Sequence, residues 1–281
     1  MGRVAVEGRE RRRVPASVDQ TIAASLGADP ALLPVLDYLL QDVDVLGPDP
    51  QQIVGMLRPL RLSGAQTALD LGCGKGTVAT ALAVELGLHV TGIDAFAPFI
   101  DECRTRASAM GVGGACLFEA MDIRRLVGRL PRFDVVLLLA GGGVFGDDRE
   151  TVSALRTFAE PGGFMVIGDL SGAAGPGVAP VELDRVVQAL TAWGDHLVGE
   201  RHGLSHEALA ERAVAARRVA RRARELMRLY PGLAATMWEF VDGFGGGSGG
   251  ASAPQTSTVW LLRRAADAGL EQEDQLARHH A

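Results

Sequence analysis

Leu69-Asp70-Leu71-Gly72-Cys73-Gly74-Lys75-Gly76 decides the fold. A short apolar run beginning at Thr67 stops at glycines spaced two apart, and a helical pattern follows. Glycine lets the backbone turn sharply there and approach a ligand with no Cβ in the way. The first N–H groups of the following helix offer an anion site. The spacing is G-x-G-x-G, not the G-x-G-x-x-G that brings a pyrophosphate onto the helix. Asp70 adds a carboxylate two residues before the first glycine, where a pyrophosphate would be repelled and a ligand amino group would be welcome.

The strand-then-helix design repeats outward from this point. Residues 88–94, 116–121, 133–139 and 163–169 read as further strands, each separated by a helix-sized segment, and 195–201 and 257–263 as a sixth and a last strand. Such alternation means a parallel sheet with helices on both faces. Right-handed crossovers then collect the C-terminal strand ends on one edge, where ligands bind.

Two segments stand outside the alternation. Residues 18–46 carry a helical pattern (Ile22, Leu26, Leu32, Leu36, Leu39, Leu40, Val43) with a helix start at Asp29-Pro30, and a further helix spans 49–60. Residues 181–193 read as a helix, and 205–230 as one long helix stopped by Pro231-Gly232. In the long helix Val219, Ala223, Leu226 and Met227 step by three and four. Arg217, Arg218, Arg221, Arg222, Arg224 and Arg228 fall around the rest and read as a solvated face. The resulting organisation is an arm (1–17), a helical cap (18–60), a core (61–204), a second cap segment (205–244), a Gly-rich loop with the last strand (245–264) and a polar tail (265–281). Both cap segments keep apolar stripes, so they should pack on each other or on a partner subunit. Removing residues 1–46 should leave the sheet folded.

Composition narrows the function classes. With 281 residues, 47% of them hydrophobic, the chain can bury a large core. A net charge of −6 argues against a broad nucleic-acid surface. Cys73, Cys103 and Cys116 form no CxxC, which points to a reducing, cytoplasmic setting. No signal-peptide pattern follows the arginine-rich arm, and the most apolar window, 133–145, is far short of the ~20 residues a membrane helix needs. His196, His202 and His206 lack a convincing ligand spacing, so no metal is expected.

The quoted stretch resembles the signature of the class I S-adenosylmethionine-dependent methyltransferases, and further landmarks follow in order. They are Gly92-Ile93-Asp94 with Ala95-Phe96, then Met121-Asp122-Ile123, Phe133-Asp134-Val135-Val136 with Leu139-Ala140-Gly141, and Pro161-Gly162-Gly163. GCGKG, GIDAFAPFI and FGDD are similar to a group of stand-alone small-molecule methyltransferases. The resemblance implies a Rossmann-like fold: a seven-stranded, mostly parallel sheet with helices on both faces and a helical cap. It implies S-adenosyl-L-methionine as cofactor, held by Asp70, Gly72, Cys73, Gly74 and Gly76. Asp94 would take both ribose hydroxyls, since one carboxylate can accept two O–H donors. Ala95 and Phe96 would stack the adenine, Asp122 and Ile123 would read its edge, and Leu139 and Ala140 would lie beneath the sulfonium.

Several of these residues have a plainer reading. Asp122 equally suits the N-cap of a helix over 123–128, Phe96 a core position, and Cys73 a small residue in a tight turn. Lys75, the chain's one lysine, either reaches the cofactor carboxylate or stands exposed without a partner. Asp147, Asp148, Asp169, His196, His202 and Tyr230 are candidate bases with no choice made among them. The function implied is methyl transfer to an O, N or C atom of a small-molecule acceptor. The alternatives are an RNA or protein methyltransferase, or a protein that binds S-adenosylmethionine without catalysis. A membrane partner is excluded on this reading, nucleic acid is disfavoured, and a homodimer is left open.

Overall fold

The structure is a computed structural model that describes residues 17–62, 66–139, 143–168, 180–203, 205–245 and 258–267. Ala140, Asp169, residues 1–16 of the arm, most of the Gly-rich loop and residues 268–281 of the tail lie outside the described residues. In chain order the elements are α1 (Val18–Ser25), α2 (Leu33–Leu40), α3 (Pro50–Leu57), β1 (Thr67–Leu71), α4 (Thr77–Leu86), β2 (His89–Asp94), α5 (Ala97–Ala109), β3 (Cys116–Ala120), β4 (Phe133–Leu138), α6 (Asp148–Phe158), β5 (Ala159–Gly168), α7 (Pro180–Thr191), β6 (His196–His202), α8 (His206–Leu229), α9 (Ala234–Gly245) and β7 (Thr258–Arg263).

The starts expected from the sequence are capped as their chemistry dictates. Asp29 accepts from the Ala31 N–H at 2.8 Å, Asp49 from Gln51 at 2.8 Å and Ser205 from Ala208 at 3.0 Å. Two expectations change. The helix expected over 123–128 is only a 3-10 turn, Ile123–Arg125. A helix that sequence reading left inside the second cap segment, α9, turns back after Pro231–Leu233 and packs on α8.

The sheet runs β3-β2-β1-β4-β5-β7-β6, and β7 alone is antiparallel, to both β5 and β6. Parallel strands buried on both faces read as near-continuous apolar runs, and they do here. Ala68, Val90, Val135 and Val166 pack with Ile53 of α3 and Leu82 of α4 on one face. Leu69, Leu71, Val136 and Ile167 pack with Leu155 and Phe158 of α6 on the other. The chain steps from β1 to β2 and β3 on one side and returns to β4 on the other. That reversal leaves a crevice outside the C-terminal ends of β1 and β4.

The Pro161-Gly162-Gly163 landmark lies within β5, as a register shift between Phe133/Ala159 and Val135/Phe164. A Cβ on Gly163 would stand 2.8 Å from the Asp134 carbonyl oxygen, so this close backbone approach needs glycine. Gly92 is equally constrained, since a Cβ there would sit 2.6 Å from the Phe118 ring. Gly92→Ala is therefore expected to destabilise the fold by about 1–3 kcal/mol, measured by urea unfolding, through overpacking between β2 and β3.

The cap forms its own apolar core. Leu32, Leu36, Leu39 and Leu40 meet Val219, Ala223 and Leu226 of α8 and Met237 and Phe240 of α9. Phe99 is buried in the same cluster and Phe96 packs against it, so the cap sits directly beside the turn after β2. The two segments do pack on each other. No single helix among the described residues is long and apolar enough to cross a membrane. The first two helical segments pass that test only as a pair bent by 94°, and the buried leucines of the second belong to the cap core.

Arg218, Arg221 and Arg222 of α8 tie it to residues 38–42, so these three are not a simple solvated face. Asp42 receives Arg222 at 2.7 Å and Arg221 at 2.8 Å, and Arg218 donates to the Asp42 carbonyl at 3.0 Å. Tyr38 donates to Glu225 at 2.6 Å, with Arg222 over its ring. The hydrogen bond from Arg222, ahead of burial and the Arg221 bond, leaves the Asp42 carboxyl lowered from 3.8 to about 2. A depressed acid contributes stability that is complete above its unfolded value and is lost as pH falls through the folded one. Acidification from about pH 4 to about 2 should therefore loosen α8 from residues 38–42, and Asp42→Asn should loosen it at neutral pH. Hydrogen exchange in α8 checks both, and equal protection in wild type and variant at pH 7 would dismiss the contact.

Candidate cofactor site

The loop after β1 is built from hydrogen bonds that only glycines permit. Gly72, Gly74 and Gly76 hold φ values of 69°, 52° and 71°. The Gly72 and Cys73 N–H groups donate to the Ile93 carbonyl at 2.8 and 3.1 Å, and Gly76 donates to the Cys73 carbonyl at 2.9 Å. Gly76 caps α4 without a side chain, which leaves the first-turn N–H groups of that helix free of a side-chain partner. A Cβ on Gly76 would meet the Cys103 sulfur at 2.8 Å. Cys73 and Cys103 both lie against the Gly74 carbonyl, at 3.8 and 3.2 Å, and all three cysteines are free thiols. A hydrogen bond from the Cys73 thiol to Cys103, with burial, pushes the Cys73 thiol well up, which makes it a packing residue.

Two carboxyls face each other across this loop. Asp94, at the end of β2, accepts from the Gly74 N–H at 2.9 Å and from the Phe96 N–H at 2.8 Å, one bond to each oxygen. Burial raises its pKa, and the backbone donors of Phe96, Gly74 and Ala95 oppose that rise. Asp70 is 2% exposed, and no hydrogen-bond donor among the described residues reaches it. Burial first, and the Asp94 charge second, push its carboxyl up to about 7. A buried acid without a donor is costly when ionised and suits a cationic ligand group.

The remaining expected residues are placed as follows. Phe96 meets Phe99 edge-to-face at 4.8 Å. Asp122 caps the 3-10 turn, accepting from the Arg124 N–H at 3.0 Å, and its Oδ2 pairs with the Arg124 guanidinium at 2.8 Å. That hydrogen bond is the main reason its pKa is lowered. Ile123 and Leu139 are buried. A groove of about 580 Å3 along α6, lined by Arg124, Val144, Phe145, Arg149 and Trp193, includes neither Asp70 nor Asp94.

Among the candidate bases, His196 opens β6 at the sheet edge opposite the loop, which removes it from the site. His202, at the C-terminal end of β6, is bonded to Thr258 at 3.1 Å and stands three strands from β4, about 14 Å away. Asp147 caps α6, accepting from the Glu150 N–H at 2.8 Å.

Lys75 overturns one of the two readings made for it, that of an exposed lysine without a partner. Its side chain is 2% exposed, donates to the Leu40 carbonyl at 2.8 Å and pairs with Glu102 at 2.8 Å. Its ammonium thus bridges the end of α2 and α5.

Residues 68–163 match the family model described as a methyltransferase domain, and the fold around them is Rossmann-like, of the class I type. Its sequence is 29% identical over 135 residues to a 27-O-demethylrifamycin SV methyltransferase of Amycolatopsis mediterranei, a match covering 48% of each chain. The chain thus spans about half the length of the curated relative it matches. Among solved structures it is similar to a SAM-dependent methyltransferase of Geobacter sulfurreducens in complex with S-adenosyl-L-homocysteine. That likeness has a TM-score of 0.66 at 18% identity and covers 82% of this chain and 98% of that one. The 4+2 cyclase SpnF is similar with a TM-score of 0.60 at 16% identity, over 90% of this chain and 98% of that one.

Proposed function

We propose that this protein is an S-adenosylmethionine-dependent methyltransferase acting on an O, N or C atom of a small molecule. The observation that carries the reading is Asp70, a buried carboxyl with no donor among the described residues, at the edge of a glycine loop, where the ammonium of the cofactor's amino-acid end would complete an ion pair. Asp94 spends one lone pair of each oxygen on the loop and keeps acceptor capacity for two ribose hydroxyls. The backbone of Gly72, Cys73, Gly74 and Gly76 would line the amino-acid end, and Leu139 and Ala140 the floor beneath the sulfur. Ala95 and Phe96 would flank the adenine. Because Arg124 occupies Asp122, the N–H of Ile123 at the first position of its turn is the stronger candidate for the adenine edge.

The cofactor supplies a methyl group on a sulfonium, a leaving group already activated. What the protein must add is position, holding the acceptor ~3–3.5 Å from the reacting carbon, and exclusion of water by the cap. A small-molecule acceptor is favoured by the methyltransferase of rifamycin SV chemistry among the relatives and by the net charge of −6.

Calorimetry should register S-adenosylmethionine in the micromolar range, roughly −8 kcal/mol, and no NAD. Binding of NAD alone would sink the reading. Transfer of a labelled methyl group should then appear with small hydroxylated or amino acceptors. Binding with no transfer to any small molecule, RNA or protein would make the protein a non-catalytic binder, as its likeness to a cyclase allows.

A further inference from the structure

A buried ammonium is tolerated only where its partners are close and fixed. Lys75 meets that condition with one partner from the cap and one from the core. The carbonyl of Leu40 ends α2, and Glu102 belongs to α5. Its Nζ also lies 5.4 Å from the Phe99 ring, which is buried in the cap core. The backbone of the same residue is held too. Arg106 donates through Nε to the Lys75 carbonyl at 3.2 Å and through Nη2 to Asp44 at 2.5 Å. Lys75 therefore has its side chain on cap residue 40, and its carbonyl on an arginine that grips cap residue 44. Its sequence neighbours are Gly74, bonded to Asp94, and Gly76, which caps α4. Leu46 closes the same gap, 3.8 Å from where a Gly74 Cβ would stand.

We propose that Lys75 and Arg106 are positioning residues that fasten cap residues 40–44 to the cofactor loop, so that loop geometry and cap attachment form one coupled equilibrium. The N-terminal half of the cap is then no swinging lid. A ligand that orders the loop stabilises α2, and by linkage an undocked α2 weakens the ligand by the same factor. Removal of residues 1–46 would strip Lys75 of the Leu40 carbonyl and uncover Phe99, so it would injure the cofactor loop directly. The inference rests on the proposed reading of the site as one for S-adenosylmethionine.

The experiment uses the full chain, Lys75→Met and Glu102→Gln, with S-adenosyl-L-homocysteine as the probe. Calorimetry on the wild type comes first, and absence of binding there would overturn the functional reading itself. Given binding, hydrogen exchange in residues 33–40 should slow on adding the ligand. Lys75→Met should lose that ligand-dependent slowing and bind about 5- to 150-fold more weakly, with Glu102→Gln intermediate. Lys75→Arg, which keeps the cation, should recover part of the slowing. A brace with a merely structural role would lower the melting temperature while leaving affinity and the ligand-dependent slowing intact, and that result would overturn the inference. If Lys75→Met does not fold, Glu102→Gln and Asp44→Asn carry the same comparison from the exposed side of each contact.

Discussion

Replacing Asp70 by asparagine is expected to stabilise the ligand-free protein above pH 7 while weakening S-adenosylmethionine by at least about 30-fold. The two effects share one cause. The folded carboxyl titrates near 7 against an ordinary value of 3.8, because burial and the Asp94 charge both oppose its ionisation. Between those values the folded state holds a proton that the unfolded state has released, so stability falls as pH rises from about 4 through 7. The full span corresponds to about 4 kcal/mol, and Asp70→Asn removes this share of the slope. Burial of Asp94 adds to the wild-type slope in the same direction. An ammonium placed beside Asp70 would hold it ionised, so ligand binding near pH 7 should release a proton fraction. Calorimetry in buffers of different ionisation enthalpy reads that fraction. A ligand-free wild type of constant stability from pH 5 to 8, or an Asp70→Asn variant that binds the cofactor normally, would falsify this account.

The loop and its two acids were legible because their cause is local. A strand-to-turn-to-helix junction writes its glycines at fixed spacing, and alternation of strands with helices places Asp70 and Asp94 on one sheet edge. The helix starts at Asp29, Asp49 and Ser205 were legible for the same reason. What escaped was long-range pairing. Lys75 finds its partners 35 residues back, at Leu40, and beyond the next helix and strand, at Glu102 of α5, and no periodicity encodes either contact. The arginines of α8 looked solvated because their counter-charge, Asp42, stands about 180 residues away. One signal was available: Arg218, Arg221, Arg222 and Glu225 form a stripe at spacings of three and four, alongside the apolar one. A charged stripe bordering a buried seam is where partner charges collect, and Tyr38 and Asp42 stand four apart on the facing segment. Asp122 is the reverse case. Its place in the order of landmarks suggested a ligand contact, whereas an arginine two residues on holds its carboxylate in this structure.

Asp94→Ala is expected to raise the dissociation constant of S-adenosyl-L-homocysteine by roughly 30- to 150-fold, or about 2–3 kcal/mol. Unlike the Asp70 change, it should also destabilise the ligand-free protein. One task of this residue is seen in the structure and a second belongs to the proposed reading. Its oxygens already fix the Gly74 and Phe96 N–H groups, so alanine strands two loop donors that glycine geometry alone does not hold. On the proposed reading the same oxygens accept the ribose hydroxyls through their remaining lone pairs. The tasks separate by choice of ligand. An analogue lacking both hydroxyls should bind wild type more weakly, and the further loss on Asp94→Ala should shrink to the part that comes from the loosened loop. Removing Asp94 also removes one of the two causes that push up the Asp70 carboxyl, so the pH dependence of ligand-free stability should soften in the variant. Should Asp94→Ala lose the same factor for both ligands, its role would be confined to holding Gly74 and Phe96. The ribose would then have to be sought at the turn that Asp122 and Ile123 open.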